Sequence, residues 1–268
     1  MSQLNTDLSV IMASYNHEST IADAIESVLM QETDYSIVIH CLNDASTDNT
    51  GTILEDYATK YPDKVKVYTS PNNLGSGKAN FYYHRPGTDS SYWTLLAGDD
   101  YWTDKNKVQK QLDFLTQAPD YVGCSCNTEI KDEQTGEVSL IEPGLDEWNL
   151  FDMIRLSPGV RFYVHPSGII WRNIHKQTGT FLPPPFKEPS ARGDVLLFHA
   201  MMTCGKKIKH IREAMTVYRV TGRGVWSKLS KAEQDQANLK LEQSLSKMWL
   251  WKHRVYNQII KLTKLFKG

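Results

Sequence analysis

The chain has 268 residues, enough for one large α/β domain or two fused halves, with 40% hydrophobic and 23% charged residues and a formal net charge of −1. A near-neutral balance gives the whole molecule no pull towards nucleic acid or a membrane surface. No run of 18 or more apolar residues is present to form a bilayer-spanning helix.

The polar start, Met1 to Asp7, has no secretion-signal core. The four cysteines (Cys41, Cys124, Cys126 and Cys204) lack the second close pair that zinc needs. Buried free thiols are the expectation, and with them a cytoplasmic location.

The first hundred residues alternate strand and helix patterns. Leu8 to Ser14 reads as a strand, and Ser19 to Met30 as a helix with Ile21, Ala24, Ile25, Val28 and Leu29 at helical spacing. Ser36 to Leu42 is a second strand, and Asp48 to Tyr61 a second helix with Ile53, Leu54, Tyr57 and Ala58 on one face. Lys64 to Thr69 is a third strand, Gly77 to His84 a short helix, and Tyr92 to Leu96 a short buried strand that runs into Gly98-Asp99-Asp100. Repeated βα units predict a mostly parallel sheet with helices on both faces.

The rhythm then changes. Lys105 to Thr116 is a helix, Tyr121 to Asn127 a strand, and Thr128 to Ile141 a hairpin around Glu133-Gln134-Thr135-Gly136. Asp146 to Leu156 reads as a helix and Ser167 to Trp171 as a strand. The four prolines in Phe181 to Pro189 demand a loop, Gly193 to Thr203 reads as a helix, and Lys207 to Val220 is extended.

The chemistry-bearing residues collect at strand ends. In open α/β sheets ligands bind outside the carboxyl ends of the strands, which is where Asp99 and Asp100 fall. Hard cations such as Mg²⁺ and Mn²⁺ take oxygen ligands and are shared with substrate phosphates, so an acid pair there suggests a metal–diphosphate site. An Asp pair capping the next helix, near Thr103-Asp104, is the simpler alternative. Asp44 ends the second strand on the same sheet edge. It is either a turn-and-cap residue or a carboxylate that accepts a ring N–H from a base.

Two familiar nucleotide motifs are absent. The segment Ala13-Ser14-Tyr15-Asn16-His17-Glu18 has no glycines, which argues against a dinucleotide-binding turn. Gly75-Ser76-Gly77-Lys78-Ala79 fails as a P-loop, because Asn72 stands at the first glycine position and Ala79 replaces the Mg²⁺-holding hydroxyl residue.

Taken in order, Val10-Ile11-Met12-Ala13-Ser14-Tyr15-Asn16, Asn43-Asp44-Ala45-Ser46-Thr47-Asp48, Asn72-Asn73-Leu74-Gly75 and Gly98-Asp99-Asp100-Tyr101-Trp102 resemble the GT-A-fold family 2 glycosyltransferases. Arg192-Gly193-Asp194-Val195-Leu196-Leu197-Phe198 resembles that family's acidic motif at a helix head. Ala214 to Val220, followed by Gly222 to Ser227, resembles its closing strand and loop.

The resemblance implies a GT-A fold, a Rossmann-like mostly parallel sheet with helices on both faces and a C-terminal helical tail. It also implies an inverting transfer of sugar from a nucleoside diphosphate, UDP favoured, to a hydroxyl of a glycan or lipid-linked glycan in cell-surface glycan assembly. Ala13, Tyr15 and Glu18 would line the nucleoside pocket, Asp44 would bind the base, and Gly75 and Lys78 would contact the nucleotide. Asp99, with Asp100 beside it, would hold Mn²⁺ or Mg²⁺ in the DxD motif, and Asp194 would be the general base. Residues 1–127 would bind the nucleotide sugar, 128–227 would carry the acceptor site and base, and 228–268 would form a basic amphipathic tail.

Two positions depart from the family pattern: Ala97 stands where an acid is common, and Thr221 where a histidine is common. They support a rival reading, a catalytically silent GT-A-like module that binds nucleotide sugar or glycan. A sugar nucleotidyltransferase fits less well, since the Gly-rich, Arg/Lys-bearing loop after the first strand is missing.

Among the aromatics, Trp102 and Trp226 lie in the motifs and are the better pocket candidates. His165, His175, His199 and His210 show no metal spacing. From Gln243 to Gly268 there are six Lys and Arg and no acid, with apolar Leu245, Met248, Val255, Ile259, Leu262 and Phe266 at helical spacing. Such a segment suits peripheral contact with the inner face of a membrane, or packing on the domain or a second copy.

Overall fold

The structure, a computed structural model, describes residues 6–75, 89–149, 152, 164–174, 193–202, 204–222, 224, 228–241 and 243. The expected helix at Gly77 to His84, the proline loop at Phe181 to Pro189, Lys78, Trp226 and most of the basic tail lie outside them.

Among the described residues the frame is a ten-stranded sheet. The strands are β1 (Leu8–Ser14), β2 (Ile37–Asn43), β3 (Val65–Thr69), β4 (Tyr92–Ala97), β5 (Tyr101–Trp102), β6 (Tyr121–Asp132), β7 (Val138–Ile141), β8 (Glu147–Trp148), β9 (Ile169–Arg172) and β10 (Lys207–Val220). Their order is β3-β2-β1-β4-β9-β6-β10-β5, with β7 on β6 and β8 on β10. The long ladders (β1 with β2, β1 with β4, β2 with β3, and β6 with β10) are parallel.

The apolar run of β1 is buried almost throughout, as a central parallel strand covered on both faces must be. From β1 the chain steps outward through β2 to β3, then returns to place β4 on the other flank of β1. That reversal opens a crevice at the carboxyl ends of β1 and β4.

Helices α1 (Ile21–Leu29), α2 (Thr50–Lys60) and α3 (Lys107–Gln117) follow the alternation closely. α1 buries Ile21, Ala24, Ile25 and Val28, one stripe at 3.6-residue spacing. Strand alternation in β9 divides the interior. Ile170 joins the core that includes α1 and β1, while Ile169 and Trp171 join a second core with Phe198, Met201 and Met202 of α4 (Gly193–Met202). Trp171 meets Phe198 edge to face at 4.9 Å, which seats α4 on the sheet.

Two expectations are corrected here. The start of the predicted helix Asp146 to Leu156 is instead β8, in which Trp148 pairs with Ile208 of β10. Long-range pairing overrides the local pattern. Trp102 is not a pocket residue. It is 1% exposed, its indole N–H donates to the Ser167 carbonyl at 3.0 Å, and the buried Lys107 ammonium sits 4.3 Å over its ring.

Of the cysteines, Cys41, Cys124 and Cys126 are buried free thiols, as the sequence suggests, whereas Cys204 is free but exposed. Residues 231–241 form a further helix. A reciprocal Ser230–Glu233 cap opens it, in which the Ser230 amide donates to the Glu233 carboxylate at 2.8 Å and the Glu233 amide to the Ser230 hydroxyl at 3.4 Å.

Candidate active site

The crevice is built from three strand ends and the loops that leave them. Register places Ser14 opposite Asn43 and Ala13 opposite Ala97. The Asp44 amide then donates to the Ser14 carbonyl, and the Gly98 amide to the Ala13 carbonyl, both at 2.9 Å. Asp44 and Asp99 therefore leave one sheet edge two strand spacings apart, roughly 10 Å.

The loops after β1 and β2 are laced together. Asn16 donates its amide to the Ser46 hydroxyl at 3.1 Å and accepts the Thr47 amide on its side-chain oxygen at 2.8 Å. The Glu18 amide donates to the Asp48 carboxylate at 3.1 Å, and the Glu18 carboxylate accepts the backbone and side-chain N–H groups of Asn49, each at 3.0 Å. Asn16 and Ala45 both adopt left-handed backbone, with φ of 56° and 57°. Asn tolerates that region, whereas Ala carries strain there. Tyr15 stands beside this junction and is exposed.

Asp44 is 4% exposed. Its two oxygens accept the backbone N–H groups of Leu74 at 2.8 Å and Gly75 at 3.1 Å. Gly75 has φ of 77°, a conformation that favours glycine. The acid thus holds the 72–75 loop over the end of β2.

The two acids after β4 diverge. Asp100 is 2% exposed. Its carboxyl accepts the Arg219 amide at 3.2 Å and a bond from the Ser167 hydroxyl. Burial, then the Asp99 charge beside it, holds its pKa well above the usual carboxylate range and favours the neutral acid. The Asp99 side chain keeps 16% exposure and faces the His17 ring, with Oδ2 3.8 Å from Nε2. Burial lowers the His17 pKa, and the charges of Asp99 and Asp48 oppose that shift.

Behind Asp100 lies a polar stack that the sequence did not reveal. His165 Nδ1 is 3.7 Å from Asp100 Oδ2 and 2.6 Å from the Ser167 hydroxyl. Its ring stacks on Tyr218, centroids 4.6 Å apart. Burial drives the His165 pKa down to about 3.

Tyr218 is pushed up to about 12, by burial first and then by the negative charges of Asp100, Asp99 and Asp194. One phenol therefore feels all three carboxylates, so Asp194, in the first turn of α4, acts electrostatically on the same group as Asp99 and Asp100. Arg219 closes the side. It pairs with Asp23 of α1 at 2.6 Å and lies 4.4 Å over the Tyr101 ring.

Among the described residues no group of three His, Cys, Asp or Glu could hold a metal ion. Ala97 offers no ligand, and Asp100 turns inward. The donor set still fits a hard cation shared with a diphosphate, because Mg²⁺-type ions are commonly bound by one or two carboxylates with phosphate and water completing the shell. It does not fit an all-protein cage.

A mostly parallel sheet that reverses order at β1, with acids gathered at the carboxyl ends, defines an α/β protein of the GT-A type. The family model "Glycosyl transferase family 2" matches residues 9–179, more than half of the sequence. The chain belongs to that family.

An uncharacterized protein of Mycobacterium tuberculosis is 27% identical over 221 residues, 82% of this chain. The chain spans only 60% of that relative's length. Two solved structures share the fold. S. aureus TarS in complex with UDP-GlcNAc has a TM-score of 0.59 at 20% identity, over 84% of this chain and 61% of that one. The mannosyltransferase PcManGT from Pyrobaculum calidifontis, in complex with GDP-Man and Mn²⁺, has a TM-score of 0.58 at 16% identity, over 84% and 60%.

Proposed function

We propose that the protein is a metal-assisted inverting glycosyltransferase. It moves a sugar from a nucleoside diphosphate, UDP favoured, to a hydroxyl of a glycan or lipid-linked glycan acceptor in cell-surface glycan assembly. The observation that carries this reading is that Asp44 and Asp99 leave the same sheet edge, at the carboxyl ends of β2 and β4 on either side of β1, with the Asp194 charge acting on Tyr218 together with those of Asp99 and Asp100.

The base lies at the Asp44 end, under the 72–75 loop and beside Tyr15. Asp44 accepts a ring N–H with lone pairs that Leu74 and Gly75 leave free. Asp99 meets the diphosphate end, and Asp100 serves as its buried neighbour and not as a second ligand. Asp99 would hold Mn²⁺ or Mg²⁺, which as a Lewis acid offsets the charge growing on the leaving diphosphate. Asp194 accepts the proton of the attacking hydroxyl as that oxygen bonds to the anomeric carbon, a role worth ~10²–10⁴-fold for a positioned base. TarS is in complex with UDP-GlcNAc and PcManGT with GDP-Man and Mn²⁺, which supports the donor class and leaves the base to experiment.

The absence of an acid at Ala97 favours one alternative, a module that binds nucleotide sugar without transfer. A panel of UDP-, GDP- and dTDP-sugars, assayed for nucleotide release with Mn²⁺ and with EDTA, separates the two. Metal-dependent release of one nucleotide supports the enzyme, and tight binding without release supports the module. We propose a cytoplasmic location, with the basic 243–268 segment serving either as a peripheral contact for anionic lipid or as a self-association surface.

A further inference from the structure

We propose that His17 is a positioning residue that holds the Asp99 carboxylate towards the diphosphate end of the crevice. The proposal rests on the metal-assisted reading above and names how a site with one available acid is organised.

The backbone of His17 is fixed on both sides. Its amide donates to the Thr50 hydroxyl at 2.8 Å, and its carbonyl accepts the amides of Thr20 at 2.9 Å and Ile21 at 2.8 Å. The residue is therefore tied at once to the start of α2 and to the first turn of α1.

The ring is then threaded over Gly98. A Cβ at position 98 would lie 2.7 Å from His17 Nδ1, closer than any real contact, so glycine there is what admits the imidazole. The same peptide is clamped from above, since the Thr20 hydroxyl donates to the Gly98 carbonyl at 2.9 Å. Asp99 follows directly, with Oδ2 3.8 Å from Nε2.

The two ring nitrogens differ. Nδ1 is buried and has no hydrogen-bond partner among the described residues. A proton there would be a buried donor without an acceptor, which is costly. The favoured tautomer therefore carries its proton on Nε2, facing Asp99. An N–H in that place is a donor to the carboxylate and not a metal ligand, so His17 acts through Asp99. A small turn of the Asp99 side chain closes 3.8 Å to hydrogen-bond range. With Ala97 supplying nothing and Asp100 turned inward, the orientation of this one carboxylate governs how well the site holds a cation.

The test compares His17→Gln with His17→Asn. A Gln amide reaches the place of Nε2, whereas an Asn amide stops at the place of Nδ1. Mn²⁺ affinity in the presence of UDP is read from the free-Mn²⁺ electron paramagnetic resonance signal, and metal-free uridine binding by calorimetry.

The expected result is a 10–100-fold loss of Mn²⁺ affinity in His17→Asn, the range typical of a lost outer-shell partner, with His17→Gln close to the parent and uridine binding unchanged in both. Equal, parent-like Mn²⁺ affinity in the two variants overturns the role given to His17 alone. A parent protein that binds UDP equally with and without Mn²⁺ overturns the metal-assisted reading, and this role with it. Should either variant lose uridine binding, Thr20→Val, which removes the hydroxyl's bonds to the Gly98 and His17 carbonyls, is measured in its place. A Mn²⁺ affinity unchanged in that variant overturns the proposal, and a loss supports it.

Discussion

Asp44 accepts the backbone N–H of Gly75 at 3.1 Å while its other oxygen takes that of Leu74. Both oxygens must therefore be acceptors. Asp44→Asn replaces one of them with an amide NH₂ that faces an N–H, and a buried donor pair of this kind costs about 1–3 kcal/mol. The expected outcome is a roughly 10–100-fold loss of nucleotide affinity, read by calorimetry with UDP. The same carboxylate suits bases with a ring N–H. In a thermal-shift screen UDP, dTDP and GDP are expected to stabilise the protein more than CDP.

Asp99 and Asp100 are adjacent in sequence but opposite in surroundings, and their Asn variants are expected to separate. Asp99→Asn removes the crevice carboxylate and should abolish Mn²⁺-dependent UDP binding. Asp100→Asn keeps an acceptor for the Arg219 amide in a place where the neutral acid is already favoured. It should hold Mn²⁺ within a few-fold of the parent. Chelation with EDTA should reduce the parent to the Asp99→Asn level.

Asp194→Asn is isosteric and leaves the helix start intact. Transfer should fall by ~10²–10⁴-fold, with UDP affinity unchanged, as measured by steady-state nucleotide release beside direct binding. Parent-like turnover would remove Asp194 from the mechanism.

Stability should fall on mild acidification. His165 is held at about 3, and His40 and His210 at about 4, chiefly by burial. Each takes a proton in the unfolded chain below about 6.5 and remains neutral in the folded one. Folding is thus penalised progressively as pH drops from about 6.5 towards those values. Asp100 works the other way, because its raised pKa keeps a proton on the folded state that the unfolded chain has released, a contribution lost as pH rises through the folded value. The three histidines account for about two to three protons, or roughly 3–4 kcal/mol per pH unit between pH 6 and 5, and Asp100 subtracts from that slope, which urea unfolding measures. His210→Gln should flatten the slope by about 1.4 kcal/mol per unit.

Much of the fold is visible in local pattern. β1, α1, β2 and α2 fall where the apolar spacing puts them, because each buries one continuous face. The failures share a cause. Tyr101-Trp102 is a strand only because Thr216 and Val217 lie beside it, and Glu147-Trp148 only because β10 passes there. The site divides in the same way. Strand-end acids announce themselves, but the inward turn of Asp100 depends on Arg219 and Ser167, far along the chain. The stacking of His165 on Tyr218 joins segments that no spacing rule connects. A lone histidine such as His17 carries no signal until its neighbours in space are known.

The lacing of the loop after β1 to the loop after β2 bears on how this scaffold can be redesigned. Asn16, Glu18, Ser46, Thr47, Asp48 and Asn49 supply each other's partners, so the two turns behave as one mechanical part. A chimera that imports one turn from a homologue and retains the other would leave mismatched donors and acceptors at the seam. Exchanging both turns as a set keeps the joint whole, and makes the paired swap the sensible unit for re-engineering donor choice.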